Sequence, residues 1–363
     1  MGSESNAPLL EPGTVVRDTY TIDRLLGQGN FGDVYLARHR FMGMHAMKVF
    51  RKPALETEAG ADALREAFLL STLGHPNIVR VFEANVLDKE LGGREYLTME
   101  FVDGTTLDEY RRLHHNITIR RCLEIVCQLA AAVAQAHAQQ PPILHRDIKP
   151  ANVLVAEDDS GRPHVKLGDF GVAVRAQADR RADGGGTLLY MAPENFDGFT
   201  EPASDVWSLG MVLFELLCGF LPYPSTLLDG KFTWAELTNA LRSALKQPFR
   251  PPSFFRTDVP PELDELVLSA LHIEPQDRIT DGIRFFDVVQ TYRLRTGGAP
   301  HRAATPPSEA ATLVARAYEL ARQAASLPLA IDMLEQAIAL DPGIQPEHET
   351  QLGLWRRGIA FLA

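Results

Sequence analysis

Over the first hundred residues the apolar positions fall in short runs rich in Val, Ile, Tyr and Phe, separated by turn residues. That pattern predicts strands, two of them at 20–26 and 34–38. The one clear helical pattern there covers 58–73, where Leu64, Phe68 and neighbouring apolar residues recur at helical spacing. Beyond about Val102 the period becomes mainly helical. Residues 118–139 are apolar on one face, and 201–219 are apolar nearly all round, which predicts a buried helix. Further helices are expected near 233–246, 261–272 and 280–293. The outcome is a two-lobed α+β architecture, with a strand-rich lobe at 15–101 and a helical lobe at 104–295.

Flanking segments differ in composition. Residues 1–14 carry Pro8, Pro12 and Gly13 among small polar residues and are expected to be a disordered leader. Residues 296–308 turn to Gly, Pro, Ala and Thr and read as a linker. The segment 309–363 is Ala- and Leu-rich, with helices expected at 310–325, 328–340 and 347–362.

Composition narrows the classes. The chain has 363 residues, 45% apolar and 23% charged, which is ordinary for a globular protein. A net charge of −11 argues against nonspecific nucleic-acid binding. Cys122, Cys127 and Cys218 match neither a disulfide framework nor a zinc site, and read as reduced thiols. The strongest apolar run, 209–221, is too short to span a bilayer and contains Glu215. Asn6 breaks the myristoylation pattern. A soluble, cytoplasmic chain with no membrane partner is expected.

The chemistry concentrates in His145-Arg146-Asp147-Ile148-Lys149-Pro150-Ala151-Asn152 and, shortly after, Asp169-Phe170-Gly171. Asp147 can accept a hydroxyl proton. Asn152 and Asp169 are hard oxygen ligands suited to a divalent metal against phosphates. Upstream, Gly27-Gln28-Gly29-Asn30-Phe31-Gly32 lies between two predicted strands, where glycines let backbone approach phosphate closely. A dinucleotide-binding turn would instead run from strand into helix. Ala46-Met47-Lys48-Val49, Ala192-Pro193-Glu194 and Asp205-Val206-Trp207-Ser208 follow in order.

Singly these motifs are weak, and His145 alone would read as a core histidine. Jointly, over roughly 15–295, they resemble the protein kinases, in particular the bacterial Hanks-type (eukaryotic-like) serine/threonine protein kinases. The resemblance implies a bilobal protein-kinase fold, with ATP and Mg²⁺ as cofactors and Mn²⁺ able to substitute. Gly27, Gly29 and Gly32 would cover the phosphates, with Leu26 beside them. Lys48 would pair with the α- and β-phosphates and with Glu66. Val34, Ala46 and Leu154 would sandwich adenine. Met99 would be the gatekeeper, and the backbone of Glu100 and Val102 would bond the adenine edge. Asp147 would orient the nucleophile. Lys149 would reach the γ-phosphate, and Thr187 would bond Asp147 and Lys149; both mark the Ser/Thr class. Asn152 and Asp169 would hold the metal. Val81, Leu70, Phe170 and His145 would stack between the lobes, and Arg278 would pair with Glu194.

Two features depart from the family habit. Arg146 beside Asp147 usually marks control by a phosphate in the following loop, yet 172–186 contain no Ser, Thr or Tyr. Asp179 or Asp183 is expected to supply that charge instead. The tail, with Ala330, Leu334, Ala337 and Pro342, fits the second half of a tetratricopeptide repeat, while its first half fits poorly. A packed helical hairpin is the other reading, leaning on the kinase domain or on a protein partner. The expected partners are protein substrates with Ser/Thr acceptors and a partner for the tail; oligomeric state is open. A kinase-fold scaffold acting through its tail is the alternative function.

Overall fold

The strands expected at 20–26 and 34–38 exist as β2 (Tyr20–Gln28) and β3 (Gly32–His39) in a computed structural model of the chain. The structure describes residues 7–29, 32–51, 74–114, 117–169, 187–224, 227, 232–297, 309–321, 326–345, 348, 352–353 and 355–356. The helix expected at 58–73, with Glu66 and Leu70, and the segment 170–186, with Phe170, Asp179 and Asp183, lie outside them. The chain divides into two compact units, one from 1–110 and 131–183, the other from 111–130 and 184–363.

The first unit holds an antiparallel sheet that adds β1 (Val15–Val16), β4 (Gly43–Phe50), β5 (Val81–Val86) and β6 (Glu95–Glu100) to these strands. Its order is β1-β2-β3-β4-β6-β5. Strand alternation gives the sheet two different faces. Tyr35, Met47 and Val49 join Tyr20, Ile22 and Tyr96 in one core cluster. Burying such side chains stabilises by about 1.5–3 kcal/mol each. Val34, Ala46 and Lys48 take the opposite parity, with Val34 directly across from Lys48 and Ala46 across from Met99.

One expectation needs correction here. Residues 7–14, assigned above to a disordered leader, are not loose. Leu10 is 4% exposed and sits in the core with Tyr35 and Val49, and Leu9 packs beside it. The polar, Pro-containing composition hid two adjacent leucines that find a hydrophobic seat. The chain beyond Val102, expected to be mainly helical, also contributes strands. β7 (Thr105–Thr106), β8 (Val153–Glu157) and β9 (Pro163–Leu167) form a second antiparallel sheet in the same unit. Gly104 permits it, because a Cβ there would stand 2.4 Å from the Val155 carbonyl oxygen.

Two helices, α1 (Leu107–Leu113) and α2 (Ile119–His137), run through the points where the units divide. The second unit is helical. α3 (Pro202–Cys218) is buried at every position from Ala203 to Leu217, as its all-round apolar pattern requires. Glu201 and Ser204 close its N-terminus as a capping box, and Gly219, at φ 80°, ends it. α4 (Trp234–Ala244), α5 (Pro252–Phe255), α6 (Pro261–Ala270) and α7 (Gly282–Gly297) follow. Thr296 and Gly297, expected to open the linker, are the last residues of α7.

In the tail, α8 (Glu309–Leu320) and α9 (Leu327–Leu340) share a core of Ala317, Leu327, Ala330 and Leu334 with Leu352 and Trp355. Phe254 and Phe255 of α5 pack against the same core, and the Phe254 ring lies 5.9 Å from that of His348. The tail therefore borrows two aromatic side chains from the helical lobe.

Candidate active site

Gly29 and Gly32 close the β2–β3 hairpin, N–H of Gly29 to the Gly32 carbonyl at 2.9 Å and the reverse bond at 3.3 Å. The setting is strand-loop-strand, as expected. The glycines differ in what demands them. A Cβ on Gly32 would stand 2.2 Å from the Val49 carbonyl oxygen, so packing alone requires glycine there. A Cβ on Gly27 would meet nothing within 4 Å among the described residues, so none of them forbids a side chain at that position. Leu26 is 37% exposed beside it.

Lys48 is delivered by β4 onto the face opposite the core and is 6% exposed. Its Nζ lies 2.6 Å from Asp169 Oδ1. Burial pushes the Asp169 carboxyl up, but the charge and hydrogen bond of Lys48, helped by Lys149, outweigh it and hold the group below the ordinary carboxylate range. Asp169 therefore stays ionised, the state a metal ligand needs.

The loop before β8 gathers the remaining groups. Asn152 Nδ2 donates to both the carbonyl of Asp147, at 2.8 Å, and its Oδ2, at 3.0 Å. Lys149 Nζ lies 3.1 Å from the same Oδ2. His145 braces the loop from below. Its Nδ1 accepts the Asp147 N–H at 3.2 Å and its Nε2 lies 2.9 Å from the Gly168 carbonyl. An acceptor at Nδ1 and a carbonyl at Nε2 select the tautomer protonated on Nε2. Gly168 N–H donates to the Asn152 carbonyl at 2.9 Å, which ties the loop to the segment after β9 that carries Asp169. Arg146 and Asp169 adopt φ of 64° and 59°. Such backbone costs on the order of 1–2 kcal/mol per residue, and it concentrates at functional sites.

The hinge refines one expectation. The Glu100 N–H already donates to the Arg80 carbonyl at 2.8 Å, so of its backbone groups only the carbonyl is left for the adenine bond expected there. Its side chain pairs with Lys166 of β9 at 2.9 Å, and the Val102 carbonyl accepts from Gly104. Met99 is partly buried against Phe50 and Leu97, and Leu154 is half-buried on β8. Lys166 escaped the sequence reading, as did Asn77, whose Nδ2 donates to the Val165 carbonyl at 2.8 Å. No short-range pattern links partners so far apart along the chain. Glu66 lies outside the described residues.

Thr187 belongs to the second unit, where it precedes the turn Leu188–Tyr190. There Arg278 forks onto Glu194 at 2.8 and 3.1 Å, and its remaining donors reach the carbonyls of Ala203, His272 and Ile273. The pair anticipated from sequence is thus structural, set over Trp207 at 5.1 Å. Asp205 is buried nearby on α3.

A glycine hairpin, an in-sheet lysine paired to an aspartate, and an Asp-Lys-Asn cluster occur together in the first unit of a two-lobed α+β fold. The chain belongs to the protein kinase family. Residues 20–291 match the family's protein kinase domain. The chain is 31% identical over 359 residues to the serine/threonine-protein kinase PknB of Mycolicibacterium smegmatis, covering 95% of this chain and 53% of that one. It is 33% identical over 273 residues to PknB of Mycobacterium tuberculosis, covering 72% and 41%. The chain thus spans about half the length of the curated relatives it matches. Among solved structures, the kinase domain of M. tuberculosis PknI superposes with a TM-score of 0.58 at 27% identity, covering 78% of this chain and 98% of that one.

Proposed function

We propose that this chain transfers the γ-phosphoryl group of ATP to Ser or Thr hydroxyls of protein substrates. The observation that carries the reading is the cluster of Lys149, Asn152 and the Asp147 carboxylate, all meeting at Oδ2 within 3.1 Å. A carboxylate so held is placed to take a hydroxyl proton while the neighbouring ammonium faces the phosphate. Lys149 and Thr187 support a Ser/Thr rather than a Tyr acceptor, as do the names of the PknB relatives.

The donor set fits Mg²⁺. Asp169 offers an ionised carboxylate and Asn152 an amide oxygen, both hard ligands of the kind Mg²⁺ accepts beside water and phosphate. When bound, the metal neutralises charge on the phosphates. Lys48 would exchange its Asp169 contact for the α- and β-phosphates, with Gly27, Gly29 and Gly32 above them and Val34, Ala46 and Leu154 against adenine.

Control is assigned to the tail or a partner rather than to a loop phosphate. The packing of the tail on Phe254 and Phe255 supports a standing link between tail and kinase. The tail is read as a TPR-like hairpin, Asp179 or Asp183 as the loop's charge partner of Arg146, and the cytoplasm as its location.

Mass spectrometry after incubation with Mg²⁺ and ATP, beside Asp147→Asn, tests the reading. Phosphates on Ser or Thr that appear only in the unsubstituted chain are expected. Phosphate on Tyr alone, or equal labelling of both proteins, would refute it.

A further inference from the structure

A polar cluster outside the catalytic set surrounds Asp33, the residue after Gly32. Its carboxylate is fully buried, so it must be satisfied from within the protein. Oδ1 accepts from Arg51 at 2.5 Å. Oδ2 accepts the backbone N–H of Leu9 at 3.0 Å and the Tyr35 hydroxyl at 3.1 Å, with Gln28 Nε2 at the limit, 3.5 Å. The Tyr35 oxygen in turn accepts the Leu10 N–H at 2.9 Å. Burial pushes the Tyr35 phenol up to about 12, so it remains a donor to Asp33.

This network joins two segments distant in sequence. On one side stand Leu9 and Leu10, anchored by the Leu10 side chain in the core of the sheet. On the other stands the glycine hairpin, touched at both ends. Asp33 adjoins Gly32, and Arg51 Nε approaches the Gly29 carbonyl at 3.4 Å. Arg51 is held in turn, because Arg94 bonds its carbonyl. A carboxylate that only needed satisfaction in the core would find it from Arg51 and Tyr35. The Leu9 N–H adds the coupling.

We propose that residues 7–10 form a strap which, through Asp33 and Arg51, fixes the glycine hairpin where it covers the nucleotide phosphates. Asp33 is then a positioning residue for ATP. The consequence at ATP rests on the kinase reading above; the mechanical coupling of strap to hairpin does not.

The test uses the full chain with Leu9→Pro, which deletes the N–H but keeps Leu10 and Asp33, beside Leu9→Ala, which keeps the N–H. Hydrogen exchange over residues 26–34 is measured without nucleotide, then KM for Mg·ATP and kcat by ADP release. Leu9→Pro should speed exchange in the hairpin about tenfold, and Leu9→Ala should not. Leu9→Pro should also raise KM for ATP several-fold with kcat held within about twofold. Unchanged exchange in Leu9→Pro, or equal effects in both variants, overturns the strap. Faster exchange with an unchanged KM overturns the positioning role of Asp33. If the unsubstituted chain neither binds nor turns over Mg·ATP while the exchange difference persists, the kinase reading fails and the strap stands.

Discussion

Lys48 and Asp169 stand 2.6 Å apart, the ammonium of a central strand against the carboxylate that would carry the metal. They are 121 residues apart in sequence. With nucleotide bound, Lys48 would turn to phosphate and Asp169 would be left to hold the metal. Lys48→Met should therefore leave the fold intact by circular dichroism and lower turnover by about 10²–10³, the scale of losing one preorganised charge donor. Full turnover by Lys48→Met would remove that residue from the site.

The glycines should separate cleanly. Gly32→Ala pushes a methyl into the Val49 carbonyl and is expected to cost about 1–3 kcal/mol of stability, seen as a lower urea midpoint. Gly27→Ala meets open space and should melt like the unsubstituted protein while raising KM for ATP. Equal melting losses for both would contradict the geometry.

How much of this was legible in the sequence follows from the range of each interaction. The hairpin, Lys48 on its strand, the Asp147 loop and the burial of α3 are written in local period and motif spacing. The second sheet was not, since Thr105–Thr106 is too short to show alternation. The seat of Leu10 and the partners of Asp33 were also hidden. They depend on contacts 24 and 25 residues away, which no periodicity encodes. Asp33 inside a glycine motif reads as a loop residue until its buried partners are seen.

Glu194 supplies an acid-sensitive share of stability. Burial raises its carboxyl, but the bonds from Arg278 and Ser204 outweigh that and hold it below its ordinary value of 4.5. A group depressed in the folded state contributes fully above its unfolded value and loses that contribution as pH falls through the folded one. Urea midpoints measured from about pH 6 to about pH 3 should fall for the unsubstituted protein, and less steeply for Glu194→Gln. At neutral pH that variant strands Arg278, whose side chain is fully buried, and should lose about 3–5 kcal/mol. Parallel acid curves would show that the pair carries none of the dependence.

Trp355 is 1% exposed in the tail core. Trp355→Ala should cost about 3–5 kcal/mol there and open 327–340 to limited proteolysis. Because Phe254 and Phe255 share that core, their surroundings should loosen too, read by hydrogen exchange over 250–256. Protection unchanged at 250–256 would mean the tail does not brace the helical lobe.

The helix α3 has no outer side: from Ala203 to Leu217 every residue is enclosed. A segment of this kind has no stable existence at an intermediate stage of assembly, because any partly formed lobe would show water a greasy rod. During synthesis the residues up to about 220 emerge before α5 to α7 exist to pack against them. Newborn chains halted there are the ones most exposed to sticking, and this lobe is bound to gain its solubility in a single late step, when its C-terminal helices close around the rod.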